Sequence, residues 1–194
     1  MSAMGQSDVL PLKSVLLKHA RDAFGDQPAL DSSWQDLAYL ARPDFAGAVT
    51  EYEAFQELLE RLGTEVHLAP PDPATGPDSV YVRDATVICD RGANHSNMGK
   101  QAREMEPGAA ERSLRDIDVP IVGRITGSGR MEGGDVAWID ERNVAVGLGY
   151  RTNAEGIRQL RALLGSGVDK VVPVPLSLIH ISEPTRQLTH SRLP

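Results

Sequence analysis

Met131-Glu-Gly-Gly-Asp-Val-Ala-Trp138, followed after a short gap by Val146-Gly-Leu-Gly-Tyr-Arg-Thr-Asn-Ala-Glu-Gly156, is the stretch on which the reading of this chain turns. Glu132 and Asp135 flank a Gly-Gly pair just before an apolar run. Carboxylates in such a place are costly to bury unless cations pair with them. The glycines allow the backbone to bend and to pack closely around whatever the acids hold. Taken alone, Glu-Gly-Gly-Asp reads as readily as a β-turn with solvated acids.

Outward from it, the chain alternates strand and helix signals. Val136 to Ile139 and Val144 to Val146 read as strands. Asn153 to Leu164 follows as a helix with Ile157, Leu160, Leu163 and Leu164 on one face. Thr152-Asn-Ala-Glu155 fits a capping box at its start, and Gly165 suits its end. Val171 to Val174 begins another strand. Upstream, Ser14 to Leu17, Glu65 to Ala69, Val80 to Val82, Thr86 to Ile88 and Ile121 to Ile125 read as strands. Gly47 to Leu62 is the clearest helix, with Val49, Tyr52, Phe55, Leu58, Leu59 and Leu62 at helical spacing and Gly63 placed to end it. Met98 to Leu114 is polar and partly helical, with a break expected at Pro107-Gly108. Ala23 to Pro43 shows no clean period, and residues 1–12 are expected to be disordered.

Pro77-Asp-Ser-Val-Tyr-Val-Arg-Asp-Ala85 brackets an apolar run with Asp78 and Asp84. Then come Ala102-Arg-Glu-Met-Glu-Pro107, the Glu-Gly-Gly-Asp segment, and Arg151-Thr-Asn-Ala-Glu-Gly156. In this order the four resemble the guanidine-modifying superfamily, which includes dimethylarginine dimethylaminohydrolases, arginine deiminases and amidinotransferases. Any one motif is weak, and four in order are specific. The resemblance runs from Lys13 to Pro175. It implies an α/β fold, the five-fold pseudosymmetric α/β propeller called a pentein, of which residues 13–175 would supply about three ββαβ units. It implies a C–N hydrolase acting on guanidino groups of arginine derivatives, in the dimethylargininase case giving citrulline and an amine. An amidinotransferase, an arginine deiminase or a non-catalytic propeller that binds a partner remain the alternatives.

The resemblance also implies roles for single residues. Asp84 matches the aspartate that binds the guanidinium; a surface pair with Arg83 or a turn cap is the other reading. Glu132 matches a glutamate that contacts the guanidino nitrogens or steadies the catalytic histidine, and a buried structural ion pair is its alternative. Asp78 matches a substrate-contacting acid, or forms an Asx turn after Pro77. Arg103 and Arg151 match arginines that bind the substrate α-carboxylate or hold the site together. Trp34 and Tyr39 fall where the family has a loop over the site, or pack on the surface. Arg83 and Glu104-Met105 depart from the dimethylaminohydrolase pattern, which leaves the substrate open.

The catalytic histidine and nucleophilic cysteine of the family belong to later segments. Cys89, the one cysteine, reads as a small core residue, and His95 as a solvated loop histidine. From Leu176 the chain reads Leu-Ser-Leu-Ile-His-Ile-Ser-Glu-Pro-Thr-Arg186, which resembles an in-frame translation of a sequencing adapter. Residues 176–194 are therefore expected to be a non-native tail, His180 included, and the chain a truncated, inactive piece.

The 194 residues are 41% hydrophobic, enough for a core, and carry a net charge of −7. That sign argues against nucleic acid or an anionic membrane as partner and accords with a cationic small-molecule substrate. No apolar run approaches the roughly 20 residues of a membrane span. One cysteine excludes an internal disulfide and suits a reducing cytoplasm. No cofactor or metal site is expected, and a homodimer is open to the full-length form.

Overall fold

The computed structural model describes residues 6–176. Their strands form three small sheets. Strand β1 (Ser14–Leu17) pairs in parallel with β2 (Glu65–Leu68), with helices α1 (Ala20–Phe24), α2 (Gln27–Ser33) and α3 (Phe45–Arg61) between them in sequence. The short helix α4 (Val82–Ala85) leads into β3 (Thr86–Cys89). Strand β3 runs antiparallel to β4 (Gly92–His95), and β4 pairs in parallel with β5 (Ile121–Arg124) across helix α5 (Glu106–Asp116). The third sheet repeats that scheme with β6 (Val136–Trp138), β7 (Asn143–Leu148), helix α6 (Ala154–Leu164) and β8 (Lys170–Pro175). The described residues thus hold two complete ββαβ units and one parallel pair with its helices, rather than three full units.

The main core lies between the second and third sheets and α6, where Val87, Met131, Val136, Trp138, Val144, Val146, Ile157, Leu160 and Leu164 are buried together. Each fully buried Leu or Val there contributes ~1.5–3 kcal/mol of transfer free energy. Helix α3 gains much less. None of its residues is fully buried, its Phe45, Ala48 and Tyr52 lean on Ala20, Ala23, Phe24 and Leu30, and Phe55 and Leu58 stay exposed. Gly63, at φ +83°, takes the left-handed turn after it.

Several expectations are corrected. Val80 to Val82 is not a strand: a 3₁₀ turn (Pro77–Val80) runs into α4, because Pro77 is already set for a first helical turn. For the same reason Pro107 does not break a helix but stands in the first turn of α5, where no N–H is needed. Ala23 to Pro43 contains α2, capped by the Asp26 side chain. His95 is not solvated; it closes β4 and is buried. Of residues 1–12, those from Gln6 onward are placed. The Gln6 side chain donates to the Glu141 and Gly167 carbonyls and accepts from the Asp90 N–H. Asp8 pairs with Arg83 and accepts from the Trp138 N–H. The proposed tail lies outside the described residues except for Leu176, whose N–H donates to the Leu148 carbonyl.

The cap of α6 also differs from expectation. Asn153, not Thr152, is the N-cap, and its Oδ1 accepts from Gly156 N–H at 2.8 Å and from Arg130 N–H at 3.0 Å. Thr152 is buried and faces the acids instead. Asn153→Ala is expected to cost ~1–2 kcal/mol, the upper range for a cap because two donors lose their acceptor. Urea unfolding of the variant against the parent measures it, and a loss below ~0.5 kcal/mol would contradict this cap.

Candidate active site

The turn at Pro77–Val80 and α4 bring Asp78, Tyr81 and Asp84 to one place, and Arg103 reaches them from the 3₁₀ turn Gln101–Arg103. Arg103 is 2% exposed. Its Nε and Nη2 donate to the two carboxylate oxygens of Glu106, at 2.9 and 2.7 Å. Its Nη1 donates to Asp84 Oδ2 at 2.7 Å, and Nη2 also reaches the carbonyls of Asp78 and Tyr81. This planar fork is the geometry in which a guanidinium binds carboxylate most strongly.

Glu132, also 2% exposed, enters from the segment before β6. Its Oε2 accepts from Arg151 Nη1 at 3.1 Å and lies 3.8 Å from Arg103 Nη1. Its Oε1 accepts from Gly99 N–H at 3.3 Å, and its own N–H donates to Thr152 Oγ1. The Thr152 hydroxyl donates to Asp135. Asp78 is buried and pairs with Lys100 at 3.3 Å. Four carboxylates (Asp78, Asp84, Glu106 and Glu132) therefore face three cations (Lys100, Arg103 and Arg151). Each acid has a cationic partner, with Arg103 shared, and the cluster keeps one net negative charge, which suits a cationic guest.

Burial shapes the protonation of the cluster. It pushes the Glu106 carboxyl above its ordinary value, against the hydrogen bonds and charge of Arg103. For Arg103 burial opposes the charge, yet the hydrogen bonds to Glu106 and Asp84 hold the guanidinium protonated more firmly than usual. Tyr39 is pushed up by burial and by the neighbouring Asp78 charge; its hydroxyl lies against Asp78 without a well-formed hydrogen bond.

The Gly-Gly pair is what lets the two halves meet. A Cβ on Gly133 would stand 2.1 Å from the Arg83 carbonyl oxygen and 2.7 Å from that of Thr86. Gly134 faces the Asp84 side chain, whose Oδ1 would be 2.3 Å from an added Cβ. The acids at positions 84 and 132 come together only over a bare backbone.

Asp84, Glu132, Asp78, Arg103 and Arg151, all singled out in the sequence, are thus brought together. Arg103 and Arg151 both serve here as partners of the acids. Tyr39 reaches Asp78, while Trp34 ends α2 and makes none of the cluster's hydrogen bonds. Arg83 turns away to Asp8 and the Val136 carbonyl, so its departure from the dimethylaminohydrolase pattern falls outside the cluster. Cys89 is buried in the sheet, where Asn94 Nδ2 lies 3.5 Å from its sulfur. Glu106 and Lys100 were not foreseen as site residues. Glu106 stood inside a quoted motif, three residues after Arg103, and that spacing was the available signal.

A sequence model of the family described as Arginine deiminase matches residues 72–179. The N(G),N(G)-dimethylarginine dimethylaminohydrolase of Pseudomonas aeruginosa is 30% identical over 157 residues, which are 80% of this chain and 61% of that protein. A solved structure of the enzyme from Pseudomonas aeruginosa, complexed with citrulline, superposes with a TM-score of 0.71 at 28% identity, over 87% of this chain and 63% of the other. The inosamine-phosphate amidinotransferase of Streptomyces griseus shares the fold, with a TM-score of 0.68 at 15% identity over 89% of this chain and 62% of its own. This chain spans less than two thirds of the length of the relatives it matches. With the matched region covering more than half of the sequence and holding the whole acid and arginine cluster, the chain belongs to the arginine deiminase family of guanidine-modifying enzymes.

Proposed function

We propose that this chain is the guanidinium-binding part of a C–N hydrolase acting on arginine derivatives, with dimethylarginine as the favoured substrate. Glu132, buried with two arginines on one of its oxygens, is the observation that carries the reading. A protein interaction surface has no need of a buried acid held in this way. Asp84, which keeps one oxygen free of Arg103, would take the substrate guanidinium, with Glu132 on its other edge and Asp78 beneath Tyr39. Arg151, which is 43% exposed at its side chain, would meet the substrate carboxylate, and Arg103 would hold the acids in place.

In this proposal the chemistry follows the family's covalent route. A cysteine thiolate attacks the guanidino carbon, a histidine protonates the departing amine, and the same histidine then activates water against the thiouronium. Cys89 is too enclosed to serve, so the nucleophile and the acid–base histidine are assigned to parts of the enzyme that this chain does not supply. The chain alone is expected to be inactive, in a cytoplasmic enzyme that closes its propeller with further units.

Asp84→Asn in the full-length protein tests the assignment while keeping the side chain's shape. Losing a charge-assisted hydrogen bond to the guanidinium is expected to weaken dimethylarginine binding by ~1.5–3 kcal/mol. Calorimetric titration reads this directly, and unchanged affinity would remove Asp84 from the substrate. The products separate the alternatives: dimethylamine marks a dimethylargininase, ammonia from arginine a deiminase, and transfer to an acceptor amine an amidinotransferase.

A further inference from the structure

The four acids of the cluster are not equally open to a guest. Both oxygens of Glu106 are taken by the Arg103 fork. Asp84 and Glu132 are the pair proposed to flank the guanidinium. Asp78 is the acid left over, on which a second cation of the substrate could rest. It is 6% exposed, and Lys100 Nζ donates to its Oδ2 at 3.3 Å. The buried Tyr39 hydroxyl lies against the same carboxylate. Asp78 thus already holds a cation and is crowded by a phenol.

Lys100 and Arg151 are held near each other through Gly99. The Gly99 N–H donates to Glu132 Oε1, and the other Glu132 oxygen accepts from Arg151. The two segments approach closely, since a Cβ on Gly99 would stand 3.2 Å from Arg151 Cα. The side chains of Lys100 and Arg151 are 31% and 43% exposed, and all four acids are more enclosed. The accessible charges of the cluster are therefore mainly cationic. Such charges attract a carboxylate and repel an ammonium, and the repulsion is strong where water is partly excluded.

We propose that Lys100 sets the substrate class of this site: methylated guanidino acids whose tail is read through its carboxylate, by Lys100 and Arg151. An α-ammonium is left without an acid of the cluster, because Lys100 holds Asp78. This rests on the guanidino reading given above and deepens it. Dimethylarginine binds through its guanidinium and its carboxylate alone. A guanidino acid without the α-ammonium loses no contact and avoids repulsion by Lys100.

Hydrolysis by the full-length protein tests this, with dimethylarginine, its deamino analogue (hydrogen in place of the α-ammonium) and its decarboxylated analogue as substrates. In each, the bond from the guanidino carbon to dimethylamine breaks, water supplies the new carbonyl oxygen, and a urea remains. Released dimethylamine therefore follows all three. The deamino analogue is expected to match or exceed dimethylarginine in kcat/KM. The decarboxylated analogue should fall about tenfold or more below both, the effect of one lost charge-assisted hydrogen bond. Lys100→Ala releases Asp78 and is expected to shift the ratio of the first two substrates about tenfold toward dimethylarginine, chiefly in KM. Lys100→Arg keeps the charge and should leave the ratio near that of the parent. A loss of stability alone does not move such a ratio. If dimethylarginine is hydrolysed and the deamino analogue lags about tenfold or more, the ammonium is read and the inference fails, while the guanidino reading stands. An unchanged ratio in Lys100→Ala would also overturn it. If none of the three releases dimethylamine, the dimethylargininase reading fails and the inference with it.

Discussion

Arg103→Ala is expected to cost ~3–5 kcal/mol, the penalty for stripping the partner from a buried ion pair. Arg103 and Glu106 are nearly inaccessible to solvent, and Glu132 is within 4 Å of the same guanidinium, so the substitution strands more than one carboxylate. Against a total stability of ~5–15 kcal/mol for an ordinary domain, that loss is enough to unfold a marginal chain. Arg103→Lys keeps the charge without the fork that spans both Glu106 oxygens, and should fall between parent and alanine variant.

The pH dependence has a definite sign. Burial already holds the Glu106 carboxyl above its ordinary value, and Arg103 opposes that rise. A carboxyl with a raised folded pKa binds its proton more tightly when folded. It favours folding below its unfolded value, near pH ~4.3, and loses that contribution as pH climbs through the folded one. Without Arg103 the rise can only grow, so the Arg103→Ala penalty should be smallest in acid and full at neutral pH. Urea unfolding of parent and variant across that range decides it. A penalty that grew in acid would mean that Glu106 does not carry the effect.

The third sheet and α6 could be read in element type and order, with β7 and β8 running longer than expected and the α6 cap one residue later, because their apolar positions keep clean periods and Gly165 marks the end. Strand β4 could not. Gly92-Ala-Asn-His is polar by composition, yet Asn94 and His95 are buried in mid-sheet, where pairing to β3 and β5 overrides local preference. The apolar triplet Val80 to Val82 misled in the opposite direction, since it builds a turn that aims Asp78 and Asp84. The acids and arginines of the site were legible because each stands in a short motif with a fixed order. Glu106 as the anchor of Arg103 was not, since that depends on a side chain turning inward. Nor was the strap at Gln6 and Asp8, where low hydrophobicity reads as disorder although side-chain hydrogen bonds to backbone groups hold the segment.

The Gly-Gly pair gives the second large effect, and its two members should differ in kind. In Gly133→Ala the new methyl meets two backbone carbonyls, those of Arg83 and Thr86, neither of which can rotate away. The segment bearing Glu132 must then separate from α4. Overpacking of this kind costs ~1–3 kcal/mol and more where only backbone can yield, so ~3 kcal/mol is expected. In Gly134→Ala the nearest atom is the Asp84 carboxylate, the end of a side chain that can swing aside. Its stability loss should stay below ~1 kcal/mol, within the range of a surface substitution plus a weakened ion pair. Its effect belongs instead to binding, because the carboxylate pushed away is the one proposed to take the guanidinium. Unfolding curves for both variants, with dimethylarginine titrations of the same changes in the full-length protein, separate the roles. If Gly134→Ala proved the more destabilising, the close approach of the Glu132 segment to α4 would not be what the pair of glycines secures.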